Sequence, residues 1–425
     1  MRVLIVGINY RPEVISCAVY TTGLAEDLAR QGARVEVVSA LPYFPDWRVF
    51  DGWRGPVWRR ARGPDGIRVV HCPLYVPRKP TGARRVLHHA SFALSALPVA
   101  LWKALRFRPD IVFAVAPGLL SAPTAWLAAR AAGARTWLHV QDYEVEAAFA
   151  TGLLSRGSAA GRLALAFERW VLRRFDRVST ISAPMLAKLP EKGVARARTY
   201  ELRNWADIAR VTPMPEGRSP LKAELGIETR FVALYSGALA NKQGLEILPA
   251  IARALAHRGD VTVVVCGEGP LRDALMESAE GVANMRFLPL QPIERLSDLL
   301  GMADVHLLPQ IAGAADLVLP SKLTNMLASG RPVVATAEAG TTLGREVEGA
   351  GLLAAPGDGA AAARAVERLL DDPALRYSLG EEARRRALER WDKTAILARF
   401  HAELGRLADA PHKMADTHVT KKENA

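Results

Sequence analysis

Only three cysteines occur in 425 residues, Cys17, Cys72 and Cys266, and none stands in a CxxC or histidine-rich spacing. A disulfide framework and a structural zinc site are therefore excluded, and a reducing compartment fits. Long hydrophobic runs are also missing. The most apolar stretch, residues 91–102, is far shorter than the roughly 20 residues of a bilayer-spanning helix. The start, Met1-Arg2-Val3-Leu4-Ile5-Val6-Gly7, is too briefly apolar for a signal peptide and has no small-residue cleavage site. It reads as the first core strand of a cytoplasmic protein. Absent too are the ATPase pattern GxxxxGKS/T, HExxH, a GxSxG elbow and an Asp-x-Asp pair able to hold a divalent ion on a sugar nucleotide. Chemistry without a metal is the expectation.

What is present is basic charge on one side. The net charge is +12, but residues 1–205 hold 30 Lys+Arg against 15 Asp+Glu, and the remainder 26 against 29. Such a field attracts an anionic partner, a membrane surface or nucleic acid, unless arginine-rich composition alone accounts for it. Trp47, Trp53 and Trp58 lie among Arg54, Arg59 and Arg60, yet no nucleic-acid module accompanies them, so nucleic acid is not expected. Residues 91–102 are flanked by Arg84, Arg85, His88, His89, Lys103, Arg106 and Arg108. They read as a buried helix or as an interfacial anchor, and as both if one face stays outside.

Length and a half-hydrophobic composition imply two packed domains. Apolar strands at 2–7, 34–39, 111–116, 136–140 and 177–181, with an amphipathic run at 20–31, predict a parallel, doubly wound sheet. Residues 207–220 read as a linker. A second alternation follows, with strands at 231–235, 261–266, 285–288, 305–308 and 332–336 and helices at 245–256, 271–279, 293–302 and 321–329. Helical stretches at 360–370 and 375–404 close the fold. The expected domains are 1–205 and 206–385, a helix at 386–408 packing back on the fold, and a disordered tail at 409–425. Two Rossmann-like α/β domains facing a cleft place ligands beyond the carboxyl ends of the strands.

Phosphate-binding signals gather in the second domain. Ser321 reads as the N-cap of a helix opening at Lys322, where free N–H groups, the helix dipole and an ammonium favour an anion. Gly237 and Lys242 follow one strand, and Gly267 and Gly269 follow the next. Each alone is an ordinary turn; together they favour a nucleotide. In the first domain Glu13 follows the first strand. His139 and Gln141 share a strand face, with Asp142 at its end and Glu144 beyond. His139 is either a group that bonds a sugar hydroxyl or shuttles a proton, or a satisfied core histidine.

The ordered set Gly7, Tyr10-Arg11-Pro12-Glu13, Ser182, Asn204-Trp205, Tyr235-Ser236-Gly237, Lys242-Gln243-Gly244, Gly267-Glu268-Gly269 and Pro320-Ser321-Lys322 to Gly330-Arg331-Pro332 resembles the family 4 retaining glycosyltransferases of the GT-B fold. Within them it resembles the WcaI-like group associated with colanic acid and exopolysaccharide synthesis. The resemblance implies a nucleoside-diphosphate sugar on the second domain, bound through Gly237, Lys242, Gly267, Gly269, Asp316, Ser321, Lys322 and Asn325. It implies an acceptor on the first domain, with Glu13, His139 and Asp142 as the catalytic group. Transfer of a hexosyl or fucosyl unit with retention follows, with no metal or cofactor. The implied acceptor is an oligosaccharide on a polyprenyl diphosphate, at the anionic inner face of the cytoplasmic membrane.

Two positions depart from the family pattern. Asn325 stands where a ribose-binding glutamate is usual, with Asp316 the nearest earlier acid, and Ala238 replaces a common arginine. His139 and Gln141 compete for the place of the family's catalytic histidine. The competing functions are a sugar-nucleotide epimerase of GT-B-like fold and an inactive sugar-nucleotide-binding relative.

Overall fold

Short aliphatic runs alternate with amphipathic helices along both halves of the chain, and each half builds one sheet. In the computed structural model, residues 1–14, 17–150, 152–206, 208, 210–239, 243–312 and 320–410 are described, with the backbone alone at Ala150 and Ser321. One unit comprises Met1–Ser179, Leu189–Tyr200 and Leu397–Ala425, and the other Thr180–Lys188 and Glu201–Ile396.

The strands of the first sheet are β1 (Arg2–Gly7), β2 (Arg34–Ala40), β3 (Arg59–Arg62), β4 (Arg68–Cys72), β5 (Ile111–Ala116), β6 (Arg135–Val140), β7 (Arg177–Thr180) and β8 (Thr199–Glu201). Their order is β3-β4-β2-β1-β5-β6-β7-β8. The pairs β1–β2, β1–β5, β2–β4 and β5–β6 run parallel, and the strand order reverses between β1 and β5. Val3, Leu4, Ile5 and Val6 are all buried, as a central strand covered on both faces requires. Sequence periodicity does not anticipate β3, β4 or β8. Arg59-Arg60-Ala61-Arg62 pairs antiparallel with β4, and its arginines protect that edge.

The second sheet holds β9 (Phe231–Ser236), β10 (Val261–Cys266), β11 (Met285–Leu288), β12 (Val305–Leu308), β13 (Val333–Thr336) and β14 (Gly351–Ala354). Its order is β11-β10-β9-β12-β13-β14, every pair parallel, with the reversal between β9 and β12. Alternate β9 residues enter opposite core layers, Phe231, Ala233 and Tyr235 in one and Val232 and Leu234 in the other. The helix Ser321–Ala328 buries Leu323, Met326 and Leu327, which leaves Lys322 and Asn325 half-buried on its other face.

The helical stretch read at 375–404 is two helices, Pro373–Trp391 and Lys393–Asp409, so the expected boundary at 386 falls inside the first. Asp392 interrupts them because its carboxylate caps the second, accepting from Ala395 N at 2.7 Å. Beyond the break Phe400 joins the first unit's core, 5.6 Å from Phe113 and 5.1 Å from Trp137 between ring centres. The expected disordered tail lies outside the described residues beyond Ala410.

Among the described residues no helix is long and apolar enough to cross a membrane. The apolar run 91–102 belongs to the helix Gly82–Phe107, which buries Phe92, Ala96 and Ala100 and exposes Leu87, Leu94, Trp102 and Leu105. The buried-helix reading describes one face of that run, and its other face stays outside.

Candidate functional site

At the carboxyl end of β9 the chain turns at Gly237, with φ at 147°. A Cβ there would stand 3.0 Å from Lys322 Nζ and 3.1 Å from its Cε, so the absent side chain is what lets the lysine lie beside the turn. Gly267 and Gly269, after β10, serve the same turn from below. Their Cβ atoms would fall 1.9 Å from Gly237 O and 2.4 Å from Leu239 O. Backbone bonds close the layer, Gly237 N to Cys266 O at 3.0 Å and Leu239 N to Glu268 O at 2.8 Å. The need for both lower glycines is thus met by backbone packing, with no direct phosphate contact required to explain them.

Lys322 is the centre of this end of the sheet. Its ammonium donates to Tyr235 Oη at 2.6 Å and to Gln243 Oε1 at 3.0 Å, and lies 4.4 Å from the Tyr235 ring centre. The phenol in turn donates within reach of Gln243 Oε1 (2.7 Å) and Ala238 O (2.8 Å). Burial lowers the lysine pKa to about 8 and raises that of the tyrosine. Among the described residues no carboxylate pairs with Lys322. A cation is held here by neutral groups, at the reversal point where open α/β sheets bind ligands.

One expectation at this helix is corrected. Ser321 is not the N-cap but the first helical residue; Pro320 precedes it with φ −59° and ψ 122° and makes no side-chain cap. A proline side chain has no acceptor, and the Leu323 amide donates back to Pro320 O at 3.0 Å. Asn325 follows Lys322 by three positions on the same half-buried face. Lys242 and Asp316 lie outside the described residues. Tyr235 and Gln243 are the functional candidates that sequence reasoning overlooked, because neither residue type announces a partner 87 or 79 positions away.

The residues expected at the first unit's sheet end are engaged internally. Glu13 is buried; its Oε1 accepts from Tyr43 N (2.8 Å) and Phe44 N (2.9 Å), and its Oε2 from Asn9 Nδ2 (2.8 Å). It ties the loop after β2 to the loop after β1. The His139 ring is 4 % exposed, with Nδ1 at 2.9 Å from Ser179 Oγ, which also accepts from Trp137 Nε1 at 2.8 Å. Burial lowers its pKa to about 3, which fits the core-histidine reading of the two.

Gln141 and half-buried Asp142 stand past the end of β6. The Asp142 carboxyl is pushed up by burial and by neighbouring Glu144. Glu144 accepts from the amides of Gly118 and Leu119 after β5, the second at 3.2 Å. Gly118, with φ at 98°, forms the turn that aims those amides.

Two domain families match the chain: a glycosyl transferase 4-like domain over residues 17–205 and glycosyl transferases group 1 over residues 230–372. The Escherichia coli (strain K12) protein provisionally named colanic acid biosynthesis glycosyl transferase WcaI is 42% identical over 82% of this chain and 86% of its own length. Among solved structures, sucrose-phosphate synthase from Thermosynechococcus elongatus superimposes with a TM-score of 0.72 at 19% identity, covering 96% of this chain and 98% of that one. HepE of Anabaena, solved with UDP-glucose, gives 0.67 at 16% identity over 95% and 99%. WaaG, a glycosyltransferase of lipopolysaccharide biosynthesis, gives 0.65 at 17% identity over 96% and 100%. The fold is GT-B.

Proposed function

This chain belongs to the glycosyltransferases whose 4-like and group 1 domains it carries; from that premise we propose that it moves a sugar from a nucleoside-diphosphate donor to a lipid-linked oligosaccharide in exopolysaccharide synthesis of the colanic-acid type. The observation that carries the donor half is the Lys322 ammonium beside Gly237, a half-buried cation whose described partners are all neutral. A diphosphate supplies the missing counter-charge, and the helix start adds the positive end of its dipole. As the bond from sugar to diphosphate breaks, negative charge grows on the leaving group. Cationic groups already oriented there stabilise the transition state more than the bound donor.

Ser321, Lys322 and Lys242 are assigned to the diphosphate, and Asn325 and Asp316 to the ribose. Asn325 offers both a donor and an acceptor. Gln141 and Asp142 are assigned to the acceptor in place of His139. The transfer is read as retaining and metal-independent, with a hexosyl or fucosyl donor. The test is nucleoside-diphosphate release from a panel of UDP- and GDP-sugars, with and without a polyprenyl-diphosphate-linked oligosaccharide and with EDTA. Release that depends on the acceptor, survives chelation and yields a product of unchanged anomeric configuration supports the reading. Sugar interconversion without an acceptor identifies an epimerase instead, and donor binding without turnover an inactive relative.

The acceptor's location is read from the Gly82–Phe107 helix. Its exposed Leu87, Leu94, Trp102 and Leu105 share the first half of the chain with the whole positive excess, which suits shallow docking on an anionic membrane face. Co-sedimentation with vesicles should rise with anionic lipid content, fall with salt and be lost in a Leu94→Ser, Trp102→Ser, Leu105→Ser variant. Indifference to lipid charge would remove the membrane from the proposal.

A further inference from the structure

The ammonium of Lys322 is held in an unusual way for a half-buried cation. Its two acceptors, the Tyr235 phenol and the Gln243 carboxamide, are neutral and also bond each other, and the aromatic face adds a third attraction. With two protein acceptors, one of the three ammonium N–H groups remains for a ligand. A carboxylate at position 243 would hold the lysine more strongly, but it would cancel the charge and repel an arriving diphosphate. Neutral acceptors fix the position and leave the charge intact. Gly237 supplies the space, since any side chain there would meet the ammonium.

We propose that Tyr235 and Gln243 are positioning residues for donor binding, which hold the Lys322 ammonium beside Gly237 in the free enzyme and present it, still uncompensated, to the donor diphosphate. This rests on the donor site described above and adds to it a way of keeping the cation in place before the donor arrives. Burial is the cause that moves the lysine's titration toward neutrality, and the Tyr235 phenol is the titratable group that faces it. Among the described residues no charged side chain of β9, of the turn after Gln243 or of the lysine's own helix comes within ion-pair distance. An arriving diphosphate favours the protonated form, so binding takes up a proton wherever the free lysine is partly neutral.

Calorimetric titration of UDP and GDP across about pH 6 to 10, in buffers of different ionisation enthalpy, tests this on the full chain. In the wild-type protein affinity should hold steady below about pH 8 and fall by up to tenfold per pH unit above it, with proton uptake near the midpoint. Tyr235→Phe should shift that midpoint downward, leaving affinity at low pH nearly unchanged. Gln243→Glu should shift it upward and weaken binding about tenfold or more at neutral pH, because the new carboxylate competes with the diphosphate. Gln243 is half-buried, so its variants remain informative if Tyr235→Phe does not fold. Wild-type midpoints in both variants, while Lys322→Ala abolishes the pH dependence, would overturn the positioning role and leave the donor site standing. Wild-type binding by Lys322→Ala, or no nucleotide binding at all, would overturn the donor site and the positioning role together.

Discussion

The two sheets end in opposite electrostatic states. At the carboxyl end of the first, backbone amides already have anions of the chain's own: Glu13 on Tyr43 and Phe44, and Glu144 on Gly118 and Leu119. At the carboxyl end of the second, the Lys322 cation faces only neutral partners among the described residues. One parallel topology thus yields one end where carboxylates are held by backbone amides and one where a lysine is held by neutral acceptors.

The largest effect that bears on this contrast is expected from Lys322→Ala, which should lower kcat/KM about 100- to 1,000-fold, as removal of one preorganised charge-stabilising donor does. Steady-state kinetics with an intact circular-dichroism spectrum checks it, and normal turnover would erase the distinction between the two ends. Glu13→Ala should act on stability instead. It leaves the Tyr43 and Phe44 amides without an acceptor, at about 1–3 kcal/mol each, whereas Glu13→Gln, which keeps an acceptor oxygen, should cost less. Urea unfolding separates the two variants.

A smaller effect is expected in the pH dependence of stability. Because the folded pKa of Lys322 is depressed to about 8 from 10.5, the folded state resists protonation there, and its contribution to stability improves as pH rises between those values. Lys322→Met should therefore be the more stable protein at neutral pH, with the gap in Tm closing toward pH 10.5. A pH-independent gap would mean the ammonium is not destabilised by burial. The smallest effect belongs to His139→Phe, which removes a buried bond to Ser179 worth about 1 kcal/mol and should leave kcat nearly unchanged. Collapse of kcat at intact stability would return His139 to the catalytic group and break the contrast from the other side.

Much of the fold was legible because burial has a period. β1, β5, β9 and β10 are continuous apolar runs, and such runs between helices read directly as central parallel strands. β3 was not legible, since an arginine run carries no sign that its backbone pairs with a neighbour. Gly237, Gly267, Gly269 and Lys322 stand out by residue type, and the structure brings all four to one sheet end. The N-cap at Ser321 was misplaced by one position, because good capping chemistry also appears just inside a helix.

Residue type and spacing alone specify two α/β sheets, the turns that need glycine and a lysine at a helix start, because each follows from the local chemistry of neighbouring positions. Which polar groups are already matched follows from long-range folding. Glu13 meets amides 30 and 31 positions on, His139 meets Ser179 at 40, and Lys322 meets Tyr235 at 87. A hydrogen bond between such distant residues leaves no periodic trace in the chain. Folding alone therefore decides which partner each of these side chains meets.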